Sequence, residues 1–206
     1  MRLATLKIKG LETAAIVHHG LVITIASLNE KLGKDWPTDI FSILQADRLD
    51  ELNDWYRQDG QDDIVRLSGE SIALEKAVFG PLYRHPRKIF GIGLNYGDHA
   101  ADLAEKTPST EPASFFKPDT TIIGPGDNIK IPLQSESTTA EAELGLIFGK
   151  TCTDVEREDW LSVIAGFTTI IDMTAEDILK RNPRYLTLSK SFESFFLLRS
   201  PTADHG

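Results

Sequence analysis

The chain has 206 residues, 41% of them apolar, which is enough for one sizeable core or for a main domain with a small companion. Its formal net charge of -9 comes from 22 basic and 31 acidic residues, and no basic block or basic-aromatic stripe is present, so nucleic acid is not an expected partner. The single cysteine, Cys152, excludes an internal disulfide and fits a reducing compartment.

The N-terminal stretch MRLATLKIKG alternates apolar and polar residues and lacks the hydrophobic core of a signal peptide. No stretch reaches the ~18 apolar residues that a membrane span needs. We therefore expect a soluble, cytoplasmic protein without a membrane partner.

The first part of the chain predicts a small α+β domain. RLATLKI and TAAIVHHGLVITIASL indicate strands, the second stretch folding back at its His-His-Gly turn. TDIFSILQ and RLDELNDWYRQDG have apolar residues at helical spacing, and Gly60 is the expected helix stop. We predict a small N-terminal domain over residues 1–75, a linker over 76–86 and a larger domain over 87–206.

The second part predicts short strands with few helices. KIFGIGLNY, ASFFKPDTTIIGPG and AELGLIFGK indicate strands, GDHAADLAEK a short helix, and EREDWLSVIAGF an amphipathic helix with acids in its first turn. TTIIDMTAEDILKR indicates a strand that leads into a helix, with Thr174 as the expected N-cap. The fold class predicted is therefore α+β and β-rich, rather than a βαβ series.

Glu141 and Glu143 are the first candidate site residues. In a strand their side chains lie on one face, whereas Leu144 and its apolar neighbours at alternate positions lie on the other. Such a pair is commonly an exposed edge of solvated acids. It also suits a hard metal ion, because Mg²⁺ and Mn²⁺ prefer carboxylate oxygens.

Asp172 follows the apolar run TTII, so it is either a turn or helix-capping residue, or a third carboxylate for the same metal. His99 and Asp102 are three positions apart and would share a helix face. They are either a surface pair or a general base with its orienting acid. Lys117 and Lys190 lie among aromatic residues, as snorkelling surface lysines or as cations near an anionic substrate.

These segments, in this order, resemble the fumarylacetoacetate hydrolase family over roughly residues 87–196. KIFGIGLNYGDHAADL is similar to the family's strand–NY–x–x–H element, and SFFKPDTTIIGPGDNIKIP to its F-F-x-K-P segment with a Gly-Pro-Gly turn. AEAELGLIFGK resembles its E-x-E strand, GFTTIIDMTAEDIL the segment of its third metal ligand, and LSKSFESF its Lys-Ser-Phe element. Each motif alone is weak, but five in order are specific.

The resemblance implies a mixed β-sandwich roll, usually a homodimer, with a Mg²⁺ or Mn²⁺ site. It implies a hydrolase or decarboxylase that cleaves a C–C bond in a 2-oxo acid or 1,3-dicarbonyl substrate through a metal-stabilised enolate. The substrates implied are an acylpyruvate, a fumarylacetoacetate-like compound or oxaloacetate, and related members isomerise dienoates. The roles that it implies for residues of this sequence are metal ligation by Glu141, Glu143 and Asp172, catalysis by His99, Asp102 and Lys190, and substrate binding by Lys117, Tyr96 and Phe192.

The sequence departs from the family pattern at three places. Asp102 stands where many members have Glu, and Glu176 stands where an arginine is common. After SFESFF the family has a Pro-Leu-Gly-Pro-like turn and further strands, whereas this sequence reads LLRSPTADHG and ends at Gly206. We therefore expect a domain that is incomplete at its C-terminus. Two alternatives to the enzyme remain, a non-catalytic remnant that keeps only metal binding and a plain interaction domain.

Overall fold

The computed structural model describes residues 1–93 and 113–200. The first half of the described chain is an antiparallel sheet of order β1-β2-β3-β4 covered by helices. Its elements are β1 (Leu3–Ile8), β2 (Leu11–His18), β3 (Leu21–Thr24), α1 (Ile25–Leu32), α2 (Ile40–Gln45), α3 (Leu49–Trp55), α4 (Gln61–Arg66) and β4 (Ile72–Ala73).

Local capping explains where the first helices begin and end. The Thr24 side chain accepts a hydrogen bond from the amide of Ser27 at the start of α1, and Gly33 ends that helix in the left-handed conformation at φ 64°. Asp39 accepts from the amide of Ser42 at the start of α2. The expected stop at Gly60 is wrong, because a π-helical turn over Tyr56–Gly60 connects α3 directly to α4.

The second half is β-rich, as predicted, and contains a mixed sheet of order β7-β10-β9-β8 and a separate antiparallel pair, β5 with β6. Among the described strands of the mixed sheet, β7 and β10 run parallel and the other neighbours antiparallel. The elements are β5 (Ile89–Gly93), β6 (Ala113–Lys117), β7 (Ile122–Ile123), β8 (Thr138–Phe148), β9 (Ile164–Ala175), α5 (Glu176–Arg181), α6 (Leu186–Lys190) and β10 (Phe196–Leu198).

Two local predictions in this half are wrong. The stretch predicted as an amphipathic helix forms an exposed 3-10 turn at Arg157–Val163 and then enters β9. Thr174 is not a helix cap, because β9 continues to Ala175 and that residue is the N-cap of α5, without a side-chain bond. The β-branched residues of FTTII favour the strand there.

Buried contacts connect the two halves. One hydrophobic cluster contains Ile16 and Trp36 of the first half together with Ile170 and Phe196 of the second. The residues predicted as a linker take part in these contacts: Leu82 belongs to the same cluster. Ion pairs add to the contact where Arg84 donates to Glu12, with 2.6 Å between Nη2 and Oε1. The predicted domain boundaries are untested and stay a prediction.

β8 shows the predicted alternation of apolar and acidic side chains. In an ordinary core strand the apolar face is buried, but in β8 the acidic face is the more buried one. The apolar face is exposed, with Leu144, Leu146 and Phe148 each more than 40% accessible. The opposite face, which carries Glu141 and Glu143, is half-buried. The strand therefore turns its acids, not its leucines, toward the rest of the described chain. Among the described residues, no helix is long and apolar enough to cross a membrane.

Candidate metal centre

The centre is built by the register of β8 against β9. Glu141 and Asp172 are direct partners across the antiparallel pair, and Glu143 lies two positions along the same face of β8. One carboxylate oxygen from each of these three residues lies within 4.8 Å of the others. Asp172 is 2% exposed, and Glu141 and Glu143 are half-buried.

Lys190 joins the carboxylates from the end of α6. Its Nζ lies 2.6 Å from Asp172 Oδ2 and 3.3 Å from Glu141 Oε2, and it donates to Thr174 Oγ1 at 2.6 Å. Burial alone would lower the pKa of the Lys190 ammonium, but the carboxylates of Asp172 and Glu141 raise it. Lys190 is therefore an ammonium group held at the carboxylate cluster, and its catalytic role stays a prediction.

Lys117 approaches Asp172 from β6 and is almost completely buried. Its Nζ lies 2.6 Å from Asp172 Oδ1 and donates to the backbone carbonyls of Met173, Phe195 and Lys190. Burial lowers its pKa to about 8, although Asp172 acts in the opposite direction. Because its ammonium is engaged by one carboxylate and three backbone carbonyls, the geometry favours a role in holding Asp172 over direct substrate binding.

Phe192 and the other predicted site residues are placed differently. Phe192 packs with Met173, Ile178 and Phe195 in a small hydrophobic cluster, and its ring meets that of Phe195 edge to face. It is partly buried there and is not among the residues that line the cleft beside the carboxylates. Tyr96, His99 and Asp102, and with them the predicted helix GDHAADLAEK, lie outside the described residues.

Sequence reasoning missed two polar neighbours of Glu141. The hydroxyl of Thr174 donates to Glu141 Oε1 at 3.1 Å, and that of Thr139 donates to the same oxygen at 3.3 Å. The period of two along β9 already places Thr174 on the face of Asp172. Strand alternation in the sequence therefore indicates that Thr174 lies beside Asp172, whereas the prediction of a helix cap does not.

An open cleft of about 750 Å³ runs along the edge strand β8, lined by residues of its acidic face and also by Ala142, Leu144 and Thr169 of the opposite face. Glu176 and Lys180 of α5 line one side of it, and the buried Glu176 has its Oε1 3.2 Å from Thr139 Oγ1, as an alternative acceptor to Glu141 for that hydroxyl. Glu141 and Glu143 lie in the same cleft. A small ligand in the cleft would therefore reach Glu141 and Glu143, whereas Asp172 lies deeper, at 2% exposure.

The donor set fits a hard divalent cation. Three carboxylates offer oxygen ligands of the type that Mg²⁺ and Mn²⁺ prefer. Asp172 Oδ1 accepts no hydrogen bond of good geometry among the described residues, although it lies close to Lys117 Nζ. When all are ionised, the three acids and two lysines sum to -1, from three negative and two positive charges, so the cluster retains negative charge for a cation.

Comparison with known proteins gives one family. Residues 88–203 match the model of the C-terminal domain of fumarylacetoacetate hydrolase. The oxaloacetate tautomerase fahd2, mitochondrial, of Xenopus laevis is 37% identical over 112 residues, which cover 54% of this chain and 35% of the relative. The protein PH0643 of Pyrococcus horikoshii is 35% identical over 113 residues, covering 53% and 49%. The chain thus spans half or less of the length of these curated relatives.

The fold is similar to a maleylpyruvate hydrolase from Sphingobium sp. SYK-6, a structure solved with manganese(II) and pyruvate. That match has a TM-score of 0.68 at 22% identity and covers 100% of this chain and 69% of the other. It supports the overall arrangement of sheets and helices in this chain.

Proposed function

Because the chain belongs to the fumarylacetoacetate hydrolase family, we propose that it forms all or part of a divalent-metal-dependent enzyme. This enzyme cleaves a C–C bond in a 2-oxo acid or 1,3-dicarbonyl compound. The observation that carries the proposal is the cluster of Glu141, Glu143 and Asp172 with Lys190 beside it. Named relatives include a hydrolase, solved with manganese(II) and pyruvate, and a tautomerase. Mg²⁺ or Mn²⁺ is the proposed cofactor.

The charge of the cluster favours a monoanionic substrate. The acids and lysines of the cluster sum to -1, a dication brings the sum to +1, and the carboxylate of a 2-oxo acid then brings it to zero. A neutral final sum costs the least in a half-buried site, because buried net charge is expensive. An acylpyruvate meets this requirement with one carboxylate, so we place acylpyruvates first among the candidate substrates.

The side chains have separate roles in the proposed reaction. A bound dication supplies Lewis-acid stabilisation of the negative charge that develops on the 2-oxo acid fragment. Lys190 donates toward the same charge, and Lys117 fixes Asp172 without reaching the substrate. In the proposed hydrolysis, His99, oriented by Asp102, takes a proton from the water that attacks the distal carbonyl. The pair of electrons of the broken C–C bond goes to the 2-oxo acid fragment.

A substrate panel tests this proposal. Acetylpyruvate, a longer acylpyruvate and oxaloacetate are incubated with the protein and Mg²⁺ or Mn²⁺, and products are followed by proton NMR. We expect pyruvate and a carboxylic acid from the acylpyruvates, no product with EDTA, and at least a ~100-fold loss for Lys190→Met. Conversion of oxaloacetate between keto and enol forms without cleavage would instead make the protein a tautomerase.

The proposal also includes a homodimer and a cytoplasmic location. The exposed face of Leu144, Leu146 and Phe148 is apolar surface that a second copy would cover. Light scattering tests the dimer: we expect twice the chain mass for the parent and the single-chain mass for Leu146→Glu. A parent of single-chain mass at high concentration would exclude it.

A further inference from the structure

The ring of Phe115 lies against the ammonium group of Lys190. Lys190 Nζ is 4.7 Å from the centroid of the ring. Both residues are buried, at 6% exposure for Phe115 and 5% for Lys190. A cation within about 6 Å of an aromatic face is attracted by the ring quadrupole, and the attraction is strongest where water is excluded. The Phe115 ring therefore helps to fix the position of the Lys190 ammonium group.

Gly91 makes the room in which the ring lies. Gly91 and Phe115 are direct cross-strand partners in the β5–β6 pair. A Cβ atom at position 91 would lie 2.2 Å from Cζ of Phe115 and less than 3 Å from two more ring atoms. A glycine within a strand commonly marks such a close approach. Any side chain at position 91 would therefore force the Phe115 ring or the backbone to shift from this arrangement.

Two of the other contacts of Lys190 are made with carboxylates that a cation would also engage, and a third is made with the Thr174 hydroxyl, at 2.6 Å. Its ammonium lies 2.6 Å from Asp172 Oδ2 and 3.3 Å from Glu141 Oε2. A dication that binds these carboxylates competes for the same oxygens, whereas the Phe115 ring does not ligate hard metals. The ring contact, like the hydrogen bond to Thr174, is therefore one for which a bound dication does not compete.

We propose that Phe115, whose ring packs against Gly91, is a positioning residue. It holds the Lys190 ammonium at the substrate site when Asp172 and Glu141 bind a dication. The functional part rests on the proposed function, in which Lys190 contacts the 2-oxo acid. The positional part rests only on the contacts of Gly91, Phe115 and Lys190. Phe116 is the matched control, because it is the next residue of β6 and its side chain is 52% exposed on the other face.

The positional test uses metal-free protein with isotope-labelled lysine. In the parent, the ε-methylene resonance of Lys190, assigned by its loss in Lys190→Met, is expected upfield because of the ring current of Phe115. Phe115→Leu should return it to the ordinary lysine position, and Phe116→Leu should leave it unchanged. Gly91→Ala should also reduce it. An equal resonance in the parent and Phe115→Leu would overturn the proposal.

The functional test replaces Phe115 by phenylalanines with one, two and three ring fluorines, which weaken the ring quadrupole with little change in shape. On Mn²⁺-loaded protein we expect oxalate affinity to fall stepwise, by about 3- to 30-fold in total, while Mn²⁺ affinity stays within twofold. A flat series, with Lys190→Met still weakening oxalate, would refute the inference and leave the proposed function intact. A parent that binds no Mn²⁺ would refute the proposed function, and the lysine resonance would still decide the position of the ring.

Discussion

Glu141 and Asp172 face each other directly across the antiparallel pair of β8 and β9. Side chains at such positions have Cβ atoms about 5 Å apart, and like charges there are destabilising unless a cation lies between them. A slip of one residue would move Glu141 and Glu143 to the other face of β8. The pairing register thus determines the carboxylate cluster.

The first prediction concerns Glu143→Gln. The substitution removes one ligand and one negative charge, so we expect Mn²⁺ affinity to fall by more than ~100-fold. This exceeds the ~10–100-fold loss of metal affinity that is typical when a residue that only orients a ligand is replaced. The metal-free fold should keep its thermal midpoint or gain slightly, because carboxylate repulsion is relieved. Calorimetry and thermal unfolding measure the two effects. Glu156→Gln, an exposed acid outside the cluster, is the control and should change neither.

The sequence predicts this cluster well for a specific reason. Alternation along a strand fixes which side chains share a face, so Glu141 and Glu143 could be paired without a structure. The mutual proximity of Glu141, Asp172 and Lys190 depends on the register of β8 against β9 and on the position of α6. Only the family resemblance indicated that these three residues lie together. The buried environment of Lys117 could not be predicted, because its carbonyl partners come from three separate segments.

The failures have physical causes as well. Gly60 has a poor intrinsic helix propensity, yet the π-helical turn includes it. A Cβ atom at position 60 would lie only 3.0 Å from the Trp55 ring, so a glycine suits this close contact. The acids of the Arg157–Val163 stretch suit a helix start, but the β-branched residues that follow extend β9 instead. Strand pairing outweighed local propensity in the second case.

The second prediction concerns Lys117→Met. The change leaves Asp172 without one of its two lysine partners and three carbonyls without their donor, so we expect a loss of ~3–5 kcal/mol in unfolding free energy. Urea unfolding measures it. Lys130→Met breaks an exposed pair with Glu193 and should cost at most ~1 kcal/mol. Adding Asp172→Asn to Lys117→Met should recover part of the loss. Equal stability of the two single variants would contradict a structural role of Lys117.

The third prediction concerns the Gly-Pro-Gly turn. A Cβ at Gly124 would lie 2.4 Å from the backbone nitrogen of Pro81, so the backbone must shift to accept Gly124→Ala. We expect a loss of ~1–3 kcal/mol, typical of overpacking. Gly69→Ala is the control, since nothing lies within 4 Å of that position, and it should stay within ~0.5 kcal/mol. A Gly124→Ala variant as stable as the control would show that this contact yields without cost.

The fourth prediction concerns acid stability. Burial, and then the nearby His19, lower the pKa of His18, whose Nδ1 lies 2.8 Å from the Tyr56 hydroxyl. A histidine with a lowered folded pKa binds fewer protons in the folded state than in the unfolded state, where its pKa is about 6.5. Stability should therefore fall as the pH drops below about 6.5 and level off below the folded pKa.

His18→Asn keeps a hydrogen-bond acceptor near Tyr56 but cannot be protonated in this range. We expect the variant to lose less stability than the parent between pH 7 and 5, measured by urea unfolding at each pH. His85→Asn removes an exposed histidine that is paired with Asp119, so this variant should lose at least as much stability as the parent. Parallel curves for the parent and His18→Asn would exclude His18 as the source of acid sensitivity.

The central claim is that Glu141, Glu143 and Asp172 hold a dication that binds a 2-oxo acid. The most direct measurement is a calorimetric titration of the 206-residue chain with Mg²⁺ or Mn²⁺, followed by oxalate on the metal-loaded protein, because oxalate offers the two chelating oxygens of a pyruvate enolate. We predict saturable oxalate binding that requires the metal and is lost in Glu143→Gln. Absence of metal binding, or oxalate binding that is equal with and without metal, would contradict the claim.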